Sequence, residues 1–128
     1  MDPIEPHQLH GVQAVLFVPN LRATLAYYRD QLGFAIDFEG TEHARVSAGD
    51  RAHASAARIR FHSTPSGQAM TPSCRLYVHV GRDLDALFAL YRNRGIDCVM
   101  PPQNQEWGLR EFEIRDCNGY LLTFAAEI

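Results

Sequence analysis

Long apolar runs, paired cysteines and an excess of either charge are all missing from this 128-residue chain. Apolar runs are short, as at Ala14–Val18, and none approaches the roughly 20 residues that a bilayer-spanning helix needs. No membrane partner is therefore expected. The N-terminus, Met1 to His7, lacks the basic region and apolar stretch of a secretory leader, so a cytoplasmic location is expected. Cys74, Cys98 and Cys117 are widely spaced and odd in number, with no Cys-x-x-Cys. That excludes a zinc knuckle and a thioredoxin-type pair and predicts free, buried thiols. Twelve basic and fifteen acidic residues give a net charge of −3 with no long run of either sign. Such a surface repels a nucleic-acid backbone, and no nucleic-acid partner is expected. There is no Gly-x-Ser-x-Gly elbow, no Gly-x-Gly-x-x-Gly loop and no His-Glu-x-x-His pair. Ser47, Ser55, Ser63, Ser66 and Ser73 read as turn or linker serines, and no catalytic residue is assigned.

What the chain has is an ordinary globular composition, 46% hydrophobic and 21% charged, in one domain's length. It also repeats itself. A strand-like run at 13–18 precedes a helical pattern with Leu21, Leu25, Tyr28 and Leu32 on one face and Gly33 as its stop. A second run at 75–80 precedes Leu84, Leu87, Phe88 and Tyr91, stopped by Gly95. Asn20 and Asp83 are the expected N-caps. Each glycine opens an apolar, strand-prone stretch, Phe34 to Phe38 and Ile96 to Met100. Further strands are predicted at 43–48 and 57–62, joined by a Gly49-Asp50 turn, and at 109–115 and 120–126, joined across Asn118-Gly119. The reading is α+β: two βαβββ modules, about 12–62 and 74–127, with a linker at 63–73 long enough to cross a cleft or to exchange between protomers.

The strands declare two faces. Ala14, Leu16 and Val18 suit packing under a helix, as do Leu76, Val78 and Val80, and Leu122 and Phe124. The opposite set, with Gln13, Val15 and Phe17, then Arg75, Tyr77 and His79, then Thr123, mixes polar and aromatic residues. That set suits a ligand cleft.

Three segments carry a family resemblance: VQAVLFVPNLRATLAYYRDQLGF (12–34), LYVHVGRDLDALFALYRNRG (76–95) and above all EWGLREFEIRDCNGYLLTF (106–124). The chain resembles the vicinal-oxygen-chelate superfamily, which groups glyoxalase I, fosfomycin-resistance proteins, extradiol dioxygenases and bleomycin-resistance proteins. It is closest to the bleomycin-resistance branch. Where the family usually has Asp-Pro-x-Gly, this chain has Asp116-Cys117-Asn118-Gly119. The resemblance implies a half-barrel of paired modules around a cleft, commonly in a homodimer. It also implies that the positions of the family's metal ligands fall on Gln13, Arg75 and Thr123.

Gln13 offers a neutral oxygen and Thr123 only a weak hydroxyl. Arg75 has no lone pair to give and a permanent charge. A metal needs about three good ligands, so no metal and no cofactor are expected. Among the six histidines, His7 and His10 read as tail, His62 as surface and His79 as a hydrogen-bonded cleft residue. His43 falls where the bleomycin-resistance branch presents an aromatic, which leaves it between ligand contact and exposed strand start. The resemblance makes Trp107 a stacking surface for planar rings. Arg75 is either an anion clamp or the ion-pair partner of Glu111 or Glu113. The ligand-binding set is Gln13, Phe17, His43, Arg75, Tyr77, Trp107, Glu111 and Thr123. The function expected is metal-free binding and sequestration of a small planar or amphipathic molecule, as in antibiotic resistance. The alternatives are a glyoxalase-superfamily enzyme (lyase, isomerase or dioxygenase), with a metal or with Glu111 or Glu113 as base, and an interaction module with a vestigial cleft.

Overall fold

The computed structural model describes residues 2–9, 11–50 and 56–128, so His10 and Ser55 lie outside it. The first module runs β1 (Ala14–Val18), α1 (Leu21–Tyr27), β2 (Ala35–Glu39), β3 (His43–Ala48) and β4 (Ala57–Ser63). The second runs β5 (Arg75–His79), α2 (Leu84–Asn93), β6 (Asp97–Asn104), β7 (Leu109–Arg115) and β8 (Leu121–Glu127). Each module forms one four-stranded sheet, in the orders β1-β4-β3-β2 and β5-β8-β7-β6. The first and last strands of each module pair in parallel and the rest are antiparallel. This is the α+β arrangement of two βαβββ units that the repeat implies.

Alternation builds the sheets. Leu16 and Val18 in β1, Ala44 and Val46 in β3, and Ile59 and Phe61 in β4 are buried. Leu21, Leu25, Tyr28 and Leu32 cover them, all on one face of the first helix. Phe112 and Phe124 stack on neighbouring strands at 5.0 Å in the second module. Each such side chain contributes about 1.5–3 kcal/mol by leaving water.

Asn20 caps α1, its Oδ1 accepting from the Ala23 N–H at 2.9 Å. The helix does not continue as a regular α-helix to Leu32. Tyr28–Leu32 opens into a π-helical turn closed by Gly33 at φ 85°. The carbonyls of that turn find partners in the second module: Leu32 O accepts from Tyr91 Oη at 2.7 Å and Gln31 O from Arg94 at 2.7 Å. The widened turn thus has two of its last carbonyls satisfied by side chains from the second module.

Four expectations are corrected. Asp83 does not cap α2 through its side chain; it sits left-handed at φ 57° and makes no capping bond. The thiols are free but not buried, since Cys74 and Cys117 are exposed and Cys98 is half-buried. Ser47 is no turn residue; it is buried within β3 and donates to Asp37 at 2.8 Å. β6 runs on to Asn104 through Pro101-Pro102, its pairing shifted between Met100 and Gln103. An edge strand tolerates this because prolines there owe the ladder no N–H.

The β7–β8 connection is organised by Asp116. Its Oδ1 accepts the N–H groups of Asn118 and Tyr120, both at 2.9 Å, and Gly119 takes φ 93°. An aspartate-built turn of this kind does not need the family's proline. Asp116 also ties the modules together, accepting from Tyr28 Oη at 2.6 Å. Asn118 donates to Thr24 Oγ1 at 2.9 Å, and Tyr120 donates to Phe17 O at 2.7 Å. In the linker, Thr64 N–H donates to Val18 O, and Met70 Sδ lies 3.6 Å from Tyr120 Oη. No helix among the described residues is long and apolar enough to cross a membrane.

Candidate functional site

The faces of the two sheets turned away from the helices carry the site residues, and they form two groups. On the first sheet, pairing sets Phe17, His62 and His43 in one row across β1, β4 and β3. Val15, Arg60, Arg45 and Phe38 form the next row, which continues into β2. Phe17 meets His62 edge-on at 5.7 Å, and His43 contacts both His62 and Phe38. Gln13, exposed just before β1, accepts from Arg60 Nε at 3.3 Å. Phe17 is 47% exposed, a large apolar surface left open.

The second group lies on β5, β7, β8 and the β6–β7 turn. Tyr77, Thr123 and Glu113 share a cross-strand row. Thr123 Oγ1 donates to Glu113 Oε2 at 2.9 Å, and Arg75 Nε stands 3.2 Å from the same oxygen. Trp107 Nε1 donates to Glu111 Oε2 at 3.0 Å, which fixes the indole while leaving the residue 57% exposed. Glu111 and Glu113 are both buried, two residues apart on one face. Tyr77 stands among them; partial desolvation pushes its hydroxyl pKa up, and the Glu111 carboxylate adds to the shift. A cavity of about 670 Å³ opens beside Tyr77 where β5 meets the start of β1.

Five of the eight site residues read from the sequence, Arg75, Tyr77, Trp107, Glu111 and Thr123, are thus gathered on the second sheet. Gln13, Phe17 and His43 are gathered on the first. Among the described residues no hydrogen bond or ion pair joins Gln13 to Arg75 or Thr123. Of the two ion pairs open to Arg75, the one with Glu113 forms. His79 is exposed and lines the cavity beside Tyr77, and its side chain makes no hydrogen bond among the described residues. His62 is half-buried among rings rather than plain surface. Glu113 was named only as an ion-pair partner or base, and Arg60 and Phe38 were missed, although the alternation of Arg58, Arg60 and His62 with buried Ile59 and Phe61 marks that face.

The three residues that the resemblance places at metal-ligand positions do not fit a metal. Gln13 offers one neutral oxygen that already accepts from Arg60, Thr123 offers only a weak neutral hydroxyl, and Arg75 brings a cation with no lone pair. Among the described residues no three His, Cys, Asp or Glu side chains are grouped to hold an ion.

These features define a class: a two-module βαβββ protein with polar-aromatic open sheet faces. The sequence pattern of the Glyoxalase/Bleomycin resistance protein/Dioxygenase superfamily matches residues 10–124, and the chain belongs to that superfamily. Among solved structures it is similar to the bleomycin-binding protein from bleomycin-producing Streptomyces verticillus, complexed with copper(II)-bleomycin. That likeness has 26% identity and TM-score 0.72, and covers 92% of this chain and 96% of the other. It is also similar to a bleomycin resistance determinant encoded on the transposon Tn5, at 23% identity and TM-score 0.69 over 91% and 97%. A glyoxalase/bleomycin resistance protein/dioxygenase from Nocardioides matches at 19% identity and TM-score 0.68, over 91% and 82%. No protein of curated function matches the sequence.

Proposed function

We propose that this protein binds a small planar or amphipathic molecule without a metal and acts by sequestering it, in the manner of bleomycin-resistance proteins. The observation that carries this reading is Arg75: its guanidinium, where the resemblance puts a metal ligand, is engaged by Glu113. Trp107, held through Nε1 with much of its surface open, supplies a stacking plane, and buried Glu111 supplies negative charge beside it. Glu111 has no ion-pair partner among the described residues, which favours a ligand carrying a cationic or hydrogen-bond-donating group. In this reading the whole chain is one domain and works as a cytoplasmic homodimer.

A second reading, a metal-free enzyme with Glu111 as base, has the burial of that carboxylate in its favour. The Trp107 hydrogen bond opposes it, because a donor to the charged form weakens a base. Calorimetric titration with metal-free bleomycin, and with a planar cationic dye such as ethidium, tests the proposal. Saturable binding in the presence of a chelator is expected. Binding that appears only after a divalent metal is added overturns it.

A further inference from the structure

The ends of the two helices enclose a cavity that shares no residue with the open-face groups. Its volume is about 360 Å³, within the size range of small-molecule pockets. α1 and its π-helical turn contribute Tyr27 and Gln31. The end of α2, the start of β6 and the β7–β8 connection contribute Arg94 to Asp97 and Arg115 to Cys117. Its walls therefore come from both modules.

Three of these residues carry chemistry that the chain alone leaves incomplete. The Tyr27 hydroxyl is the only buried side-chain nitrogen or oxygen without a hydrogen-bond partner among the described residues. Such orphans are rare in folded proteins. Burial, and next the Asp116 charge, raise its pKa, which places the hydroxyl near that carboxylate and keeps it protonated. Asp116 itself is 5% exposed, and its hydrogen bonds come from neutral donors. Oδ2 accepts from Tyr28 Oη, and Oδ1 accepts from the Asn118 and Tyr120 N–H groups. No cation stands within ion-pair distance of it among the described residues, and Oδ2 keeps a lone pair. Burial raises the Asp116 pKa in spite of those donors, as expected for a buried charge without a counter-ion. Arg94 is the converse: it donates to Gln31 O at 2.7 Å and meets no carboxylate within ion-pair distance among the described residues. The other charged pair on the cavity, Arg115 with Asp97 at 3.0 Å, neutralises itself. What is left over is a carboxylate with a hydroxyl near it, and a guanidinium that does not reach them.

We infer that this cavity binds a small zwitterion of the free α-amino-acid type, with its ammonium group on Asp116 and Tyr27 and its carboxylate on Arg94. The ammonium brings three donors, and Asp116 Oδ2 and Tyr27 Oη accept two of them. The fork of Arg94 takes the carboxylate through its remaining N–H groups. A simple anion would set its charge beside Asp116, and a simple cation would leave Arg94 unanswered. The Gly95 and Ile96 walls suit a small apolar side chain.

The test titrates glycine, L-alanine, L-valine and L-leucine into the protein by calorimetry, with thermal melts alongside. Saturable binding of at least one is expected, with a rise in Tm because the ligand touches both modules. For the tightest binder, the matching amide (L-valinamide for valine) lacks the negative charge, and the deaminated acid (3-methylbutanoate) lacks the positive one. Each analogue is expected to bind about tenfold more weakly or worse, the loss of one charge-assisted contact. Tyr27→Phe is expected to weaken the amino acid by a similar factor. It should melt no lower than the wild type, since the hydroxyl has no partner in the free protein. Arg94→Gln is expected to weaken the amino acid and to leave the amide unchanged. No saturable binding by any of the four overturns the inference and assigns the Tyr27 hydroxyl to water. Either single-charge analogue binding as tightly as the parent overturns it too, as does unchanged affinity in Tyr27→Phe or Arg94→Gln.

Discussion

Arg75 Nε and Glu113 Oε2 stand 3.2 Å apart, and the same oxygen accepts the Thr123 hydroxyl. A position that could present a metal ligand is thereby closed by an internal ion pair. The pair is half in water, with the arginine side chain 56% exposed, so it contributes no more than about 1 kcal/mol. Its consequence is chemical, because it denies the site a donor.

Restoring donors should restore a metal site. Arg75→His combined with Thr123→Glu places an imidazole and a carboxylate beside Glu113. Added Zn²⁺ or Ni²⁺ is then expected to raise the Tm of the double variant in a chelator-reversible way, and to leave the wild type unmoved. Melting curves with and without metal check this.

The buried tie between modules should be expensive to break. Tyr28→Phe leaves an Asp116 oxygen without its 2.6 Å donor, and a loss of about 1–3 kcal/mol is expected from urea denaturation. Asp116→Ala removes that bond and the turn bonds to Asn118 and Tyr120 together, and should cost more than Tyr28→Phe.

Alkali should destabilise the fold. All five tyrosines have raised pKa values: burial is the main cause at Tyr27, Tyr28, Tyr91 and Tyr120, and partial desolvation at Tyr77. Tyr91 is pushed up to about 12. A folded-state pKa above the unfolded one means that stability is complete below pH 10 and is lost as pH rises toward 12. Phenolate absorbance should therefore develop later in the native protein than in denaturant, where all five ionise near 10. A native curve that overlays the denatured one contradicts this.

The two helix starts should respond in opposite ways. Asn20→Ala removes the Ala23 cap and is expected to cost about 1 kcal/mol. Asp83→Gly removes no cap and relieves a left-handed φ of 57°, so a neutral or slightly stabilising change is expected. Thermal melts of the two variants decide it.

Much of the fold was legible because period-2 strands and period-3.6 helices write their buried faces directly, as in Leu16 and Val18 or Leu21, Leu25, Tyr28 and Leu32. The glycine stops at 33 and 95 marked the repeat. The contacts between modules were not legible. The π-helical turn at Tyr28–Leu32 depends on donors supplied by Tyr91 and Arg94, far along the chain. Asp83 has the right chemistry for a cap but the wrong backbone. For the site, alternation identified the open faces, and metal-ligand reasoning led to Arg75. It gave no reason to look at Arg60 and Phe38, which are brought together only by pairing across the sheet.

The most direct measurement is the fluorescence of Trp107, the only tryptophan, during titration with ethidium in the presence of EDTA. Saturable quenching is expected at one ligand per chain, weakened about tenfold by Trp107→Phe when followed instead through the dye. Absence of quenching in EDTA, with quenching restored by a divalent metal, would contradict the account.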